Sequence, residues 1–203
     1  MSAPFTAAEI KILHNKNFFL AKATATQKIH QLFSQVRDEI ENVIEKEKII
    51  FPKEVDSQKG KIFRGENYLN LPYLVLDYPK FFSKESVFSF RTMFWWGNFF
   101  SFTLHLQGKA LDDRRKSLLK NISSLKKKSI YICVNNNPWQ YHYQKDNYLA
   151  IDKLSNSELK KLILEKEFLK LSRKISLKDY KKVNAFLKES FLLLLPHSIF
   201  KSI

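Results

Sequence analysis

Residues 87–107 read VFSFRTMFWWGNFFSFTLHLQ, and the fold turns on how this stretch pairs with itself. It holds eight Phe or Trp side chains, one Arg, one His and a central Gly97-Asn98. Two alternating runs about a Gly-Asn pair signal a β-hairpin. Side chains alternate faces along a strand, so loop length decides which residues share a face. A two-residue loop at Gly97-Asn98 sets Trp96 opposite Phe99 and mixes aromatic and polar residues on both faces. A three-residue loop, Trp96–Asn98, sets Trp95 opposite Phe99, Arg91 opposite Thr103 and Ser89 opposite His105. That register collects Phe88, Phe90, Thr92, Phe94, Phe100, Phe102, Leu104 and Leu106 on one face. Ser89, Arg91, Met93, Trp95, Phe99, Ser101, Thr103 and His105 take the other. Burying each large apolar side chain is worth about 1.5–3 kcal/mol, so the sorted register wins. It predicts an odd-length loop with Gly97 or Asn98 at positive φ.

The flanking sequence supplies more strands and a helical segment at each end. Lys61–Glu66 and Leu71–Asp77 read as strands; Pro72 and Pro79 bracket the second, which predicts an edge strand or one with irregular ends. Past Gly108, Leu111, Leu118, Ile122 and Leu125 space as the apolar side of a helix. Asp112 and Asp113 sit in its first turn and Lys126–Lys128 in its last, as the helix dipole favours. Ser129–Val134 reads as a buried strand, Asn135-Asn-Asn-Pro138 as a turn, and Trp139–Tyr143 (WQYHY) as a further strand.

At the N-terminus, Thr6-Ala-Ala-Glu9 has the form of a capping box. The helix it starts bends near His14–Asn17, and a second carries the stripe Ile29, Leu32, Phe33, Val36, Ile40, Val43 and Ile44. Two helices are expected to close the chain, opened by Ser155-x-x-Glu158 and Ser176-x-x-Asp179. Leu164, Phe168, Leu171 and Ile175 form the stripe of one; Tyr180, Val183, Leu187, Phe191 and Leu194 form that of the other. The last stripe docks on the sheet or on a second copy of the chain, so a homodimer stays open. The expected architecture is α+β, a mostly antiparallel sheet of about 5–6 strands with N-terminal and C-terminal helices packed on it. One domain spans residues 1–203: a helical arm (1–50), a polar linker (53–60), a sheet with one inserted helix (61–145) and a C-terminal helical pair (155–195).

Net charge is +15 and unevenly placed. Residues 1–108 carry 14 basic and 11 acidic side chains; residues 109–203 carry 21 and 9. A basic half suggests an anionic partner: nucleic acid, an acidic protein or a membrane surface. Against that, 29 of the 35 basic residues are Lys, the usual solubilising residue, where bidentate phosphate recognition would favour Arg. The single cysteine, Cys133, excludes an intramolecular disulfide and reads as a small buried hydrophobe on a strand. The longest apolar run, Phe191–Leu195, falls far short of the roughly 20 residues a span needs. With no signal-peptide pattern at the N-terminus, the location expected is cytoplasmic.

No P-loop, GxGxxG, GxSxG, CxxC or HExxH pattern occurs, and neither metal nor cofactor is expected. The candidate site is therefore the polar hairpin face: Arg91, Trp95, Thr103 and His105, with Glu66 and Asp77 as possible partners for Arg91, and Arg64 beside them. An Arg among aromatics is either paired to a carboxylate or set to bind an anionic or planar ligand. Three functions follow. The first is a non-enzymatic domain binding a ligand or protein through that face. The second is a nucleic-acid-associated protein using the basic C-terminal helices. The third is an enzyme with an acid–base trio at Glu66, Asp77 and His105, which the absence of any catalytic motif disfavours.

The blocks Arg64-Gly-Glu-Asn-Tyr68, Leu71-Pro-Tyr-Leu-Val-Leu-Asp-Tyr-Pro79 and Phe90–Phe100 (FRTMFWWGNFF) resemble a stretch of uncharacterised bacterial proteins of about this size. The resemblance covers residues 60–108, about a quarter of the chain. It implies a bacterial protein and transfers no activity and no functional residue.

Overall fold

A computed structural model describes residues 3–121, 125–126 and 128–195. Ile122 and Lys127 of the expected inserted helix, and Pro196 and His197, lie outside the described residues. The fold is α+β, with seven strands in one antiparallel sheet: β1 Lys61–Tyr68, β2 Leu71–Phe82, β3 Ser86–Trp95, β4 Phe99–Gly108, β5 Tyr131–Cys133, β6 Tyr148–Ala150 and β7 Phe168–Ser176. The spatial order is β1-β2-β3-β4-β7-β5-β6. Helices α1 (Ala7–Leu13) and α2 (Lys16–Lys46) precede the sheet. Helices α3 (Lys109–Lys120), α4 (Asn156–Glu165) and α5 (Val183–Leu194) follow β4, β6 and β7.

The hairpin β3–β4 adopts the sorted register, with Ser89 opposite His105, Arg91 opposite Thr103 and Trp95 opposite Phe99. Its loop is Trp96–Asn98, closed by the Asn98 amide donating to the Trp95 carbonyl (3.0 Å), and Gly97 takes φ +71°. The apolar face enters the main core with Phe33, Val36 and Ile40 of α2, Leu111 and Leu118 of α3, Leu159 and Ile163 of α4, and Leu187 and Phe191 of α5. Phe191 meets Phe90 edge-to-face at 4.9 Å, so the last helix docks on the sheet.

Both capping boxes form, at Thr6–Glu9 and Ser155–Glu158. Four other expectations are corrected. Leu71–Asp77 is not an edge strand, since β2 runs on to Phe82 between β1 and β3; the other reading of its prolines, an irregular end, is the one observed. It tolerates Pro79 because the ladder shifts register between Asp77 and Lys80, and a bulge asks no amide of the proline. The polar segment 53–60 is no free linker. Val55 is buried, and Asp56 and Lys80 exchange backbone hydrogen bonds of 2.8 and 3.0 Å.

The C-terminal helical pair is the largest change. Residues 168–176 form β7, which pairs with β4 from Phe99–Ser176 to Gln107–Phe168. Only α4 precedes it, and Leu164, placed on a buried stripe, is exposed. Phe168, Leu171 and Ile175 space as one side of a helix, while Leu169, Leu171 and Ile175 share one face of a strand, the face that enters the core. What decides is β4, whose outer backbone edge would otherwise be left unpaired next to a buried face. Ser176 caps a short 3-10 segment, Leu177–Lys182, and its Tyr180 is exposed; α5 begins only at Val183. Finally, WQYHY forms no strand. Residues 134–147 run as an irregular segment and lay Tyr141 and Tyr143 against the sheet face opposite the helices.

Candidate ligand-binding site

Asp77 on β2 stands opposite Arg91 on β3. The guanidinium forks onto the carboxylate, Nε to Oδ1 and Nη2 to Oδ2, both at 2.7 Å. Ser89 Oγ donates to the same Oδ1 at 3.0 Å. Arg91 Nη1 donates to the Tyr141 hydroxyl. Burial works against the guanidinium charge, but Tyr141 and Asp77 outweigh it and raise the Arg91 pKa, so the group stays protonated. A guanidinium has five N–H donors, and these bonds use three. Around it stand the rings of Phe63 (5.7 Å), Trp139 (5.8 Å) and Tyr141 (5.1 Å), within cation–π range.

These groups wall a cavity of about 310 Å³ lined by Phe63, Tyr68, Tyr73, Val75, Arg91, Met93, Trp139 and Tyr141. The sheet supplies its floor, because Tyr73, Val75, Arg91 and Met93 share the face turned from the helices. The loop supplies one wall and is held there by side chains. Tyr68 Oη accepts from the amides of Tyr141 (2.6 Å) and His142 (3.0 Å) and donates to Gln140 Oε1 (3.2 Å).

Lys170 of β7 pins the same loop from beneath. It is fully buried, its Nζ donates to the carbonyls of Pro138 (2.8 Å) and Gln140, and it lies 4.3 Å from the Tyr141 ring centre. Among the described residues no carboxylate pairs with it. Burial pushes its pKa down to about 7; Cys133 opposes the shift and Arg91 adds to it. Arg91, which stays charged, and Lys170, which is only partly protonated near neutrality, thus flank Tyr141, with Asp77 the one buried acid beside them.

The remaining expected site residues divide. His105, opposite Lys170, is wedged edge-on between Trp139 (5.5 Å) and Phe168 (6.0 Å). Its Nε2 has no hydrogen-bond partner among the described residues. Burial, then Lys170 and Arg91, push its pKa down to about 3, so it is neutral at neutral pH. In the unfolded chain it takes up a proton below its ordinary value near 6.5, where the folded state refuses one. Stability is therefore full above that value and falls as pH drops toward 3. His105→Phe is expected to remove this share of acid sensitivity, read as a smaller drop in Tm between about pH 7 and pH 4 than wild type shows.

Trp95 packs among Tyr68 and Phe99 beside the cavity without lining it. Thr103 bonds Ser172 Oγ at 2.6 Å, further along the sheet. Arg64 and Glu66 are not brought to the site. Arg64 stands opposite Leu74, a core residue beneath the helices. Glu66 is exposed between Arg64 (3.8 Å) and Lys22 of α2 (3.7 Å). The acid–base trio is accordingly not assembled. Asp77 has both oxygens engaged by Arg91, His105 is held between the Trp139 and Phe168 rings, and Glu66 lies with the helix-side groups. Of the last helix's lysines, Lys182 is held by Asp179 (2.8 Å) and Lys188 by Glu39 of α2 (3.0 Å). Burial pushes the Cys133 thiol pKa up, with Lys170 opposing, which suits an inert core residue. No group of three His, Cys, Asp or Glu able to hold a metal occurs among the described residues.

Of the expected site residues, the hairpin parity located Arg91, and of the other lining residues it also placed Met93 on this face. The loop and β1 rings escaped notice because nothing in WQYHY or in Phe63 and Tyr68 says which strand they will lie across. Lys170 was missed with its strand. Comparison with family models, with curated proteins and with solved structures returned no match.

Proposed function

We propose that this protein is a non-enzymatic binding domain whose ligand is a small planar molecule bearing an anionic or strongly hydrogen-bond-accepting group. The observation that carries this reading is a charged Arg91 with two N–H donors uncommitted among the described residues, lining a cavity whose other walls are mostly aromatic. The rings take the body of the ligand and the guanidinium takes its polar end. Lys170, behind the Tyr141 ring and partly protonated near neutrality, adds to the positive potential there and favours an anion. A volume of about 310 Å³ lies at the small end of ligand sites, which fits a mono- or bicyclic compound. Binding rather than turnover is supported by the lining itself. Burial raises the pKa values of Tyr68 and Tyr141, and neither is placed to give up a proton near neutrality.

The test is calorimetric titration with benzoate and 2-naphthoate, with benzamide and 2-naphthamide as neutral controls. The carboxylates are expected to bind at least about tenfold more tightly than the amides, a gap of about 1.4 kcal/mol. Trp139→Ala is expected to weaken binding by a similar factor while leaving the melting temperature nearly unchanged, because that side chain is 47% exposed. Equal affinity for carboxylates and amides, or no effect of Trp139→Ala, would overturn the assignment.

A further inference from the structure

The N-terminal arm holds seven of the fourteen large hydrophobic side chains that are exposed among the described residues. Helix α1 buries no residue. Every described residue from Ala3 to Ala21 is exposed, including Phe5 (69%), Leu13 (56%), Phe18 (51%), Phe19 (46%) and Leu20 (56%). Helix α2 is a rod of 31 residues, clamped to the core from Ile29 onward, with Phe33, Val36, Ile40 and Val43 buried. The first half carries Ala21, Ala23 and Ala25 where the second carries large side chains, so it has little with which to grip the sheet. The apolar residues do not form a stripe along the rod. They gather about the α1–α2 turn at His14-Asn15, with Ile12 and Leu13 before it and Phe18, Phe19 and Leu20 after it, the two Phe rings in edge contact at 5.3 Å.

Charge selects what this tip meets. Between Glu9 and Asp38 the chain has no acidic residue, while Lys11, Lys16, Lys22 and Lys28 fall in that interval. Glu9 itself is turned back onto the start of α1, accepting from the Thr6 amide at 2.6 Å. Lys22 reaches Glu66 at 3.7 Å, and Lys11, Lys16 and Lys28 form no ion pair among the described residues. Two arms packed on one another would bring the four lysines of each together with a single carboxylate, Glu9, from each. A sheet of anionic headgroups neutralises them and accepts the rings at the same time. Lys stems lie along apolar surface while their ammonium groups reach outward, and aromatic and Leu side chains among lysines are the composition of helices that sit in a membrane interface.

We propose that the arm docks the protein on an anionic lipid surface, with Ile12, Leu13, Phe18, Phe19 and Leu20 entering the headgroup boundary and Lys11 and Lys16 contacting the headgroups. The attachment is peripheral, since no helix among the described residues is long and apolar enough to cross a membrane. Nothing in the fold has to open for it, because these side chains are already exposed. It stands apart from the cavity and does not depend on a ligand there.

The test is co-sedimentation of the full chain with phosphatidylcholine vesicles, with and without about 30 mol % phosphatidylserine, at low and high salt. Wild type is expected to partition onto the anionic vesicles at least about tenfold more strongly than onto phosphatidylcholine alone, and to be released by salt. Phe18→Ser/Phe19→Ser/Leu20→Ser is expected to lose at least about tenfold of that partitioning at an unchanged melting temperature, and Lys11→Glu/Lys16→Glu to lose a comparable share. Undiminished binding by the serine variant would overturn the proposal and assign the attraction to lysines elsewhere. Light scattering that shows a dimer dissolved by the serine variant, with no vesicle binding by wild type, would overturn it in favour of a second copy of the chain.

Discussion

Asp77→Ala is expected to lower the free energy of unfolding by about 3–5 kcal/mol, measured by urea denaturation. The carboxylate is 2% exposed and accepts three side-chain hydrogen bonds, two from Arg91 and one from Ser89. Removing it leaves Arg91 a buried cation whose nearest remaining partners are a tyrosine hydroxyl and aromatic faces. Those faces attract a cation by about 0.5–2 kcal/mol, too little to offset its desolvation. The matched double variant, Asp77→Leu/Arg91→Met, removes both charges with side chains of similar bulk. It is expected to recover most of the loss, because an apolar replacement of a buried pair is often neutral or stabilising. Such a result would say that the pair is retained for the cavity it charges and not for the stability of the sheet. A single-variant loss below about 1 kcal/mol, the range of a surface pair, would mean that Arg91 finds another acid or reaches solvent.

The hairpin was legible because its two faces differ in composition, so one register sorts the residues and its neighbour scrambles them. Parity then placed Arg91 in the interior without any contact being known. Two places defeated the sequence for distinct reasons. Residues 168–176, FLKLSRKIS, set Leu169, Leu171 and Ile175 on one strand face, but Leu164, Phe168, Leu171 and Ile175 are also spaced as a helical stripe. Only the need of β4 for a partner separates the two, and that is a tertiary fact. Residues 139–143 alternate as a strand would, yet the turn before them continues past its expected end. Asn135 Oδ1 accepts from the Asn137 amide (2.8 Å) and Asn137 Oδ1 from the Trp139 amide (2.9 Å). These successive side-chain-closed turns divert the chain across the sheet face. The cavity is formed by that diversion, so its Trp139 and Tyr141 walls could not be assigned from spacing alone. Lys170 follows from both misreadings, being on the unexpected strand and bonded to the unexpected loop.

Lys170 also gives the fold a pH signature. Its folded-state pKa near 7 lies well below the ordinary lysine value of about 10.4. Between those two values the unfolded chain holds a proton that the folded chain has released. Stability therefore rises with pH through this window, by up to about 1.4 kcal/mol per pH unit, and below pH 7 the folded state bears the whole cost of a buried charge. Cys133, Arg91, His105, Tyr141 and Tyr148 surround the amine. Of these, Arg91 keeps its charge throughout, His105 is already neutral, and the Cys133, Tyr141 and Tyr148 pKa values are all pushed up by burial. The thiol and phenols are common to wild type and a Lys170 variant, so the difference between the two proteins below about pH 9.5 isolates the lysine. Lys170→Met gives up two hydrogen bonds to the Pro138 and Gln140 carbonyls but no longer buries an ammonium group. Between about pH 7 and pH 9.5, wild type is expected to gain on the order of 3 kcal/mol relative to the variant. The variant should lack this rise and lose a little stability above about pH 8.5, where the Cys133 thiol ionises in the unfolded chain before it does in the folded one. Parallel stability curves for the two proteins would mean that the amine is solvated or paired in solution. The same measurement bears on the ligand. An anion bound beside Arg91 and Lys170 holds the lysine proton more tightly, so a saturating carboxylate is expected to move the rise in stability to higher pH, and a neutral amide is not.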